Sequence, residues 1–302
     1  MDKTGKIPII CGPTASGKTS LALEYADEYS IEIISADSRQ IIRRLDIGTA
    51  KPTPQERERA VFHLVDVIEP GERYSAFRFM VEANQAIKSA LDRGHIPFVV
   101  GGTGLYLRAM TDGVVEMDDV DLNIREDLEK RADEEGLEVM YNYLQRVDPL
   151  EAARVHPNNR RRIIRALEIF QMTGKSKSEL VVSGAYKKSD YEFAYYCLAP
   201  ERKRLYGIIN ARVDQMLAEG LLAEVEGLVT EGLAEKVRQA NVIGYSELLD
   251  YLDGCWSLDE ATTMIKQNTR RYAKRQMTWF RRQEGCRFFP DRESLRKELV
   301  LP

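Results

Sequence analysis

The chain has 302 residues, 43% apolar and 30% charged, with a net charge of −4. This composition excludes global disorder and a collagen-like chain, and no apolar run approaches the ~18 residues of a membrane span. The length fits two domains of ~150 residues, or one large α/β domain carrying an insertion.

The first apolar run, Ile7 to Cys11, ends at Gly12 and predicts a buried strand. It is too short for a secretory signal, so no targeting segment is expected. Thr19 to Tyr29 carries Leu21, Leu23, Tyr25 and Ala26 at roughly helical spacing. Ile31 to Ala36 predicts a second strand, closed by Asp37-Ser38-Arg39-Gln40, and His63 to Val67 a short third one. Ser75 to Leu91 reads as a helix stopped near Gly94, and Ile96 to Val100 as a fourth strand closed by Gly101-Gly102-Thr103-Gly104. Strands alternating with helices predict an α/β fold, a parallel sheet with helices on both faces.

After Gly113 the character changes. Residues 116–190 are highly charged with few strand signals, and predict a helical insertion between a first core part (1–115) and a second (191–302). Within it, Asn158 or Asn159 can cap a helix running to about Met172, with Gly174 at its stop. Tyr191 to Leu198 predicts a return strand, and the pattern from Glu201 onward is helical. The four cysteines, Cys11, Cys197, Cys255 and Cys286, are far apart and make no C-x-x-C pair. Neither a zinc knuckle nor a disulfide framework is expected, and a reduced cytoplasm is the default compartment.

The acidic net charge argues weakly against a nucleic-acid partner, but it hides a segregation. Glu116 to Glu138 carries a net −8, whereas Arg154 to Lys188 and Lys266 to Arg287 each carry +7. Lys266 to Gln283 predicts one helix, on which Arg271, Arg275, Thr278 and Arg282 form a stripe. Tyr272, Gln276, Trp279 and Phe280 lie on a neighbouring face, with the Trp and Phe read as core. Arg161, Arg162 and Arg165 lie on the insertion helix. Each charge run is also consistent with a solvated helix face; two basic helices together suggest a clamp on a folded RNA.

Gly12-Pro13-Thr14-Ala15-Ser16-Gly17-Lys18-Thr19 matches G-x-x-x-x-G-K-[ST] in full, after a predicted strand and opening a helix. Backbone N–H groups and the helix N-terminus then face one anion, Lys18 adds a point charge, and the Thr19 hydroxyl can hold Mg²⁺. The motif implies a polyphosphate ligand without saying which bond breaks. Ligands of an open parallel sheet bind at the carboxyl ends of its strands. There Asp37 reads as a general base, a Mg²⁺ support or a turn residue. Asp66 reads as a second-sphere Mg²⁺ group or a structural one, and Thr103 as a loop hydroxyl. A small-molecule kinase and a non-catalytic RNA-binding NTPase both fit these features.

A more specific pattern spans nearly the whole chain: Gly-Pro-Thr-Ala-Ser-Gly-Lys-Thr (12–19), Ser-Ala-Asp-Ser-x-Gln (35–40), Asp-Ile-Gly-Thr-Ala-Lys-Pro (46–52), Val-Gly-Gly-Thr-Gly-Leu-Tyr (100–106), Arg-Ala-Leu-Glu-Ile (165–169), Ile-Gly-Tyr-x-Glu-Leu (243–248) and Thr-Arg-Arg-Tyr-Ala-Lys-Arg-Gln-x-Thr-Trp-Phe-Arg (269–281). In this order the motifs resemble the bacterial tRNA dimethylallyltransferases. The resemblance implies a P-loop NTPase-like core and transfer of a dimethylallyl group from its diphosphate to N6 of the adenosine immediately 3′ of a tRNA anticodon. Prenylation of a free adenine nucleotide is the alternative, against which the basic blocks argue. The resemblance further implies that Asp37, Thr103 and Arg212 are catalytic, that residues 12–19 hold the diphosphate, and that Thr19 and Asp37 hold Mg²⁺. The expected contacts to the anticodon stem-loop are Asp37, Ser38, Arg39, Gln40, Thr103, Arg125, Arg161, Arg162, Arg165, Arg271, Lys274 and Arg275, on a cytoplasmic monomer. The chain departs from the family pattern at Arg39, Ile42, Arg161 and Ile208, which bears on RNA contacts and leaves the chemistry in place.

Overall fold

The computed structural model describes residues 1, 2, 4–116 and 122–302; residues 117–121, within the acidic stretch, lie outside the described residues. The chain divides into two compact units. One comprises Met1–Tyr74, Phe79–Thr111 and Ser189–Pro302; the other comprises Ser75–Arg78 and Asp112–Lys188.

The larger unit is built on six strands: β1 (Ile7–Cys11), β2 (Ile31–Ala36), β3 (Val61–His63), β4 (Ile96–Gly101), β5 (Phe193–Leu198) and β6 (Arg287–Phe289). They are ordered β3-β2-β4-β1-β5-β6, all parallel. Every residue of β1 and β2 is buried, so these strands read as continuous apolar runs interrupted only by Glu32 and Ser35. Helix α1 (Lys18–Ala26) buries Leu21, Leu23 and Tyr25 against the sheet. Helix α2 (Ala76–Asp92) belongs to this unit from Phe79 onward, and further helices of the unit are α3 (Gly104–Thr111), and, after the smaller unit, α7 (Arg202–Ala218), α8 (Leu221–Thr230), α9 (Tyr245–Leu252) and α10 (Leu258–Phe280).

The smaller unit is mainly helical, with one short antiparallel ribbon that pairs Val114–Val115 with Tyr186–Lys187 and that the expected helical insertion did not include. Its α4 (Leu122–Glu134), α5 (Leu137–Val147) and α6 (Arg160–Thr173) enclose Leu128, Met140, Leu144, Ile163, Ile164 and Leu167. The Asn159 side chain caps α6 by accepting from the Arg162 N–H at 3.3 Å, and Gly174 ends it in the left-handed region, φ 67°. Opposite charges meet inside this unit: Arg160 Nε lies 2.6 Å from Glu129, and Arg165 lies 2.7 Å from the buried Glu168 carboxylate. Part of the charge segregation in the sequence is therefore internal pairing.

Three expectations are corrected. The third strand is Val61–His63, not His63–Val67, because Leu64 and Asp66 both take φ near 60°, which no strand accommodates. The region after Glu201 is not wholly helical: β6 is a three-residue edge strand whose Arg287 and Phe288 are exposed, too short and too polar to signal itself. The basic helix starts earlier, at Leu258, behind a Ser257–Glu260 capping box, and ends at Phe280. Arg282 thus lies in the turn beyond the helix and does not continue the Arg271–Arg275 stripe.

Candidate active site

Register places the site. Ala36, Gly101 and Cys11 are cross-strand partners on β2, β4 and β1. The next residues, Asp37, Gly102 and Gly12, therefore leave the sheet side by side at its carboxyl edge. From Gly12 the chain curls through Ala15 (φ 62°) to Gly17 (φ 89°), the N-cap of α1. Gly17 must take the left-handed region here and offers no capping side chain, so no side chain engages the first N–H groups of α1. The Ser16 hydroxyl is buried in the loop without a hydrogen-bond partner among the described residues. Lys18 Nζ donates to the Pro13 carbonyl at 2.7 Å.

Beside this loop, the Arg39 N–H donates to one Asp37 carboxylate oxygen at 2.9 Å, an Asx-turn. The Ser38 N–H donates to the Thr103 hydroxyl at 2.9 Å, and the Thr103 N–H to the Ala36 carbonyl at 3.1 Å. Thr103 thus fixes the segment that carries Asp37. Helix α10 locks the two loops together through the buried Gln276, which accepts from the Thr14 N–H at 2.8 Å and donates to the Gly102 carbonyl at 3.0 Å. Trp279 lies against Gly104, where a Cβ would sit 2.4 Å from the indole, so Trp279 and the fully buried Phe280 are packing residues as expected.

A cavity of about 310 Å³ opens over this edge; its walls include Thr14, Ala15, Asp37, Arg212, Tyr272 and Arg275. Burial, together with the charge of Arg212, brings Lys18 down to about 8 against the pull of Asp37. Burial likewise lowers Arg212, again opposed by Asp37. Two cations and one carboxylate therefore sense one another at the mouth of the phosphate loop, an arrangement suited to a multiply charged anion. The Arg275 guanidinium stands 5.7 Å from the Tyr272 ring centre.

The far wall is the 46–52 loop. Its Gly48 lies so close to Tyr245 that a Cβ would meet the ring at 2.4 Å, and the Gly48 N–H donates to the Tyr245 hydroxyl at 3.1 Å. Glu224 of α8 takes the Ile47 N–H at 3.0 Å and pairs with the same hydroxyl. Lys51 is buried between Asp46 and Asp66, and Asp66 also holds Arg57 at 2.7 Å. Asp66 is thereby occupied as a tether for this loop.

Of the residues singled out from sequence, Thr14, Ala15, Asp37, Arg39, Arg212 and Arg275 line the cavity, with Ser38 and Thr103 bonded behind them. Arg39 also donates to the Ala240 carbonyl at 2.7 Å. Gln40 is turned into the fold, with its amide between the Ser35 hydroxyl and the Ala50 carbonyl, both at 2.9 Å. Arg271 and Lys274 are exposed on α10, and Arg125, Arg161, Arg162 and Arg165 belong to the smaller unit. Sequence reasoning missed Gln276 and Tyr245 as site residues. Gln276 was detectable as the polar member of a buried series with Ala273 and Phe280, spaced i, i+3, i+7.

The uncapped α1, the unpartnered Ser16 hydroxyl and the adjacent Lys18 fit a bound diphosphate. Thr19, in the first turn of α1, and Asp37 supply the hard oxygen donors a magnesium ion prefers.

A parallel sheet with this loop on its central strand defines a P-loop α/β protein. A family model described as IPP transferase matches residues 40–283, and one described as isopentenyl transferase matches residues 5–63. A tRNA dimethylallyltransferase of Geobacter metallireducens is 47% identical over 92% of this chain and 90% of its own. The crystal structure of a tRNA isopentenylpyrophosphate transferase from Bacillus halodurans superposes with a TM-score of 0.69 at 39% identity, over 97% of this chain and 94% of that one. A eukaryotic dimethylallyltransferase acting on tRNA gives a TM-score of 0.77 at 32% identity, over 91% of this chain and 69% of that one. The chain belongs to the IPP transferase family. Among the described residues, no helix is long and apolar enough to cross a membrane.

Proposed function

We propose that this chain transfers a dimethylallyl group from dimethylallyl diphosphate to N6 of the adenosine immediately 3′ of the anticodon in tRNA, releasing diphosphate. The observation that carries the reading is the single cavity onto which the phosphate loop, Asp37 and Arg212 converge. Kinship with tRNA dimethylallyltransferases supports the choice of reaction over phosphoryl transfer.

In this reading the bond from the dimethylallyl C1 to the diphosphate oxygen breaks as the C1–N6 bond forms. The α1 N–H groups, Lys18 and Arg212 stabilise negative charge growing on the departing diphosphate. The Asp37 carboxylate takes the surplus N6 proton, and Thr103 holds the Asp37 segment in place. Thr19 and Asp37 are the residues for Mg²⁺, which when bound adds positive charge at the diphosphate. Reaching the site requires the adenine to leave its stack. The Asp37–Gln40 segment, Arg125, Arg161, Arg162, Arg165, Arg271, Lys274 and Arg275 are the proposed contacts to the anticodon stem-loop, in a cytoplasmic monomer.

The test is incubation with labelled dimethylallyl diphosphate, unmodified tRNA, AMP and ATP. Label is expected in tRNA alone. Label in AMP would replace the RNA substrate with a free nucleotide. ATP turnover at a kinase rate of ~1 s⁻¹ or more would overturn the reading.

A further inference from the structure

Three of the four thiols, remote in sequence, meet directly beneath the phosphate loop. The β1–β5 register sets Cys11 opposite Cys197, and Cys286 stands immediately before β6, the strand next to β5. The sulfur atoms of Cys11, Cys197 and Cys286 all lie within 4.8 Å of one another. Sequence spacing gave no hint of this, because the strand order, not a local motif, assembles the cluster. Buried thiols are ordinary core residues, which accounts for the fully buried Cys11 and Cys197. It does not account for Cys286, which lies between the exposed Gly285 and Arg287 in a turn and yet directs its sulfur to the other two.

Three thiolates bound to one ion at ~2.3 Å stand roughly 4 Å apart, so these sulfurs need to close by less than about 1 Å. Cys286 is the one member of the three that is not fully buried, and it marks the side from which an ion reaches the cluster. Soft sulfur donors select zinc-like d¹⁰ ions over magnesium.

We propose that Cys11, Cys197 and Cys286 form a three-thiolate site for one zinc-class divalent cation, with water as the fourth ligand. Binding releases the thiol protons to solvent and changes no oxidation state. Its soft sulfur donors are different residues, of different chemistry, from the oxygen donors Thr19 and Asp37.

The full chain, stripped of metal and kept reduced with a non-thiol reductant, is titrated with Cd²⁺ while the ultraviolet thiolate-to-cadmium band is followed. The band should saturate at one ion per chain, be displaced by Zn²⁺ and be indifferent to Mg²⁺. In Cys286→Ser the affinity should fall by more than about 100-fold, beyond the range seen for outer-shell changes, whereas Cys255→Ser should match wild type. In the unmutated protein, Cd²⁺ should protect Cys286 from iodoacetamide and leave Cys255 reactive. A band that is absent or follows Cys255 would overturn the site, as would equal alkylation of Cys286 with and without Cd²⁺.

Discussion

Gln276 accepts a hydrogen bond from the backbone N–H of Thr14 at 2.8 Å, across 262 residues of sequence. The other end of its carboxamide holds Gly102, so one buried side chain on α10 ties the phosphate loop to the loop that carries Thr103. Gln276→Leu keeps the volume and removes both bonds, at about 1–3 kcal/mol for each backbone group left unpaired. Urea unfolding should show this loss, and kcat/KM for dimethylallyl diphosphate should fall with it. An unchanged midpoint and an unchanged kcat/KM would refute the tie.

Asp37→Asn keeps shape and hydrogen bonding but cannot take a proton. The variant should bind tRNA about as well as the parent, with a single-turnover rate lower by ~10²–10⁴. If the main part of Asp37 is to position Mg²⁺, the defect should appear as weaker diphosphate binding partly rescued by added Mg²⁺. A transfer rate within about threefold of wild type leaves only the Asx-turn to Arg39.

Lys18 sits at about 8, below its ordinary 10.5. Below pH 8 its charge is present to meet the diphosphate; above it the charge is progressively lost from the free protein. The dissociation constant for dimethylallyl diphosphate, read by calorimetry, should therefore be flat to about pH 7.5 and weaken above 8. Lys18→Ala should bind more weakly by several kcal/mol, remain folded and lose that pH step. The stability linkage has the opposite sense: between about 8 and 10.5 the unfolded chain binds the extra proton, so stability rises with pH there.

Glu32 is the buried anchor of the opposite end of the sheet. It receives Arg93 at 2.6 and 2.8 Å, His63 at 2.6 Å and His95 at 2.7 Å. The hydrogen bonds from Arg93, opposed by burial and reinforced by both histidines, hold its carboxyl at about 2 instead of 4.5. A depressed carboxyl stabilises the fold fully above its unfolded value and loses that contribution as pH falls. Stability should thus decline between about pH 4.5 and 2, and Glu32→Gln should flatten that limb of a urea-unfolding pH series.

Arg271 and Lys274 are exposed on α10. Replacing both with alanine should lower tRNA affinity and reduce its salt dependence by about two phosphate contacts, with diphosphate binding unchanged. An identical salt slope would make them solvated surface only.

β1, β2 and β4 were legible because each is a continuous buried run, and the phosphate loop because its residue types are dictated by the ligand. β3 was displaced because nothing in Leu64-Val65-Asp66 announces left-handed backbone. Asp37 was legible from its place at the carboxyl end of a predicted strand, whereas Arg212 came only through family resemblance; both line the cavity. Gln276, the Gly48–Tyr245 contact and the thiol cluster were hidden for a common reason. Each joins residues whose proximity depends on strand order or helix docking, which no local pattern encodes.

Strand β1 has β4 on one side and β5 on the other. During synthesis its first neighbour emerges within about a hundred residues, but the second follows only after the entire helical unit has been made. The nascent amino-terminal segment must therefore wait with one ladder of β1 unpaired, an edge open to wrong partners. Pairing with β5 closes that edge, and Gln276, later still, fastens the loop above it. Competence to grip a diphosphate is thus among the last properties the growing polypeptide acquires, so truncated products should carry the phosphate-loop motif yet fail to bind.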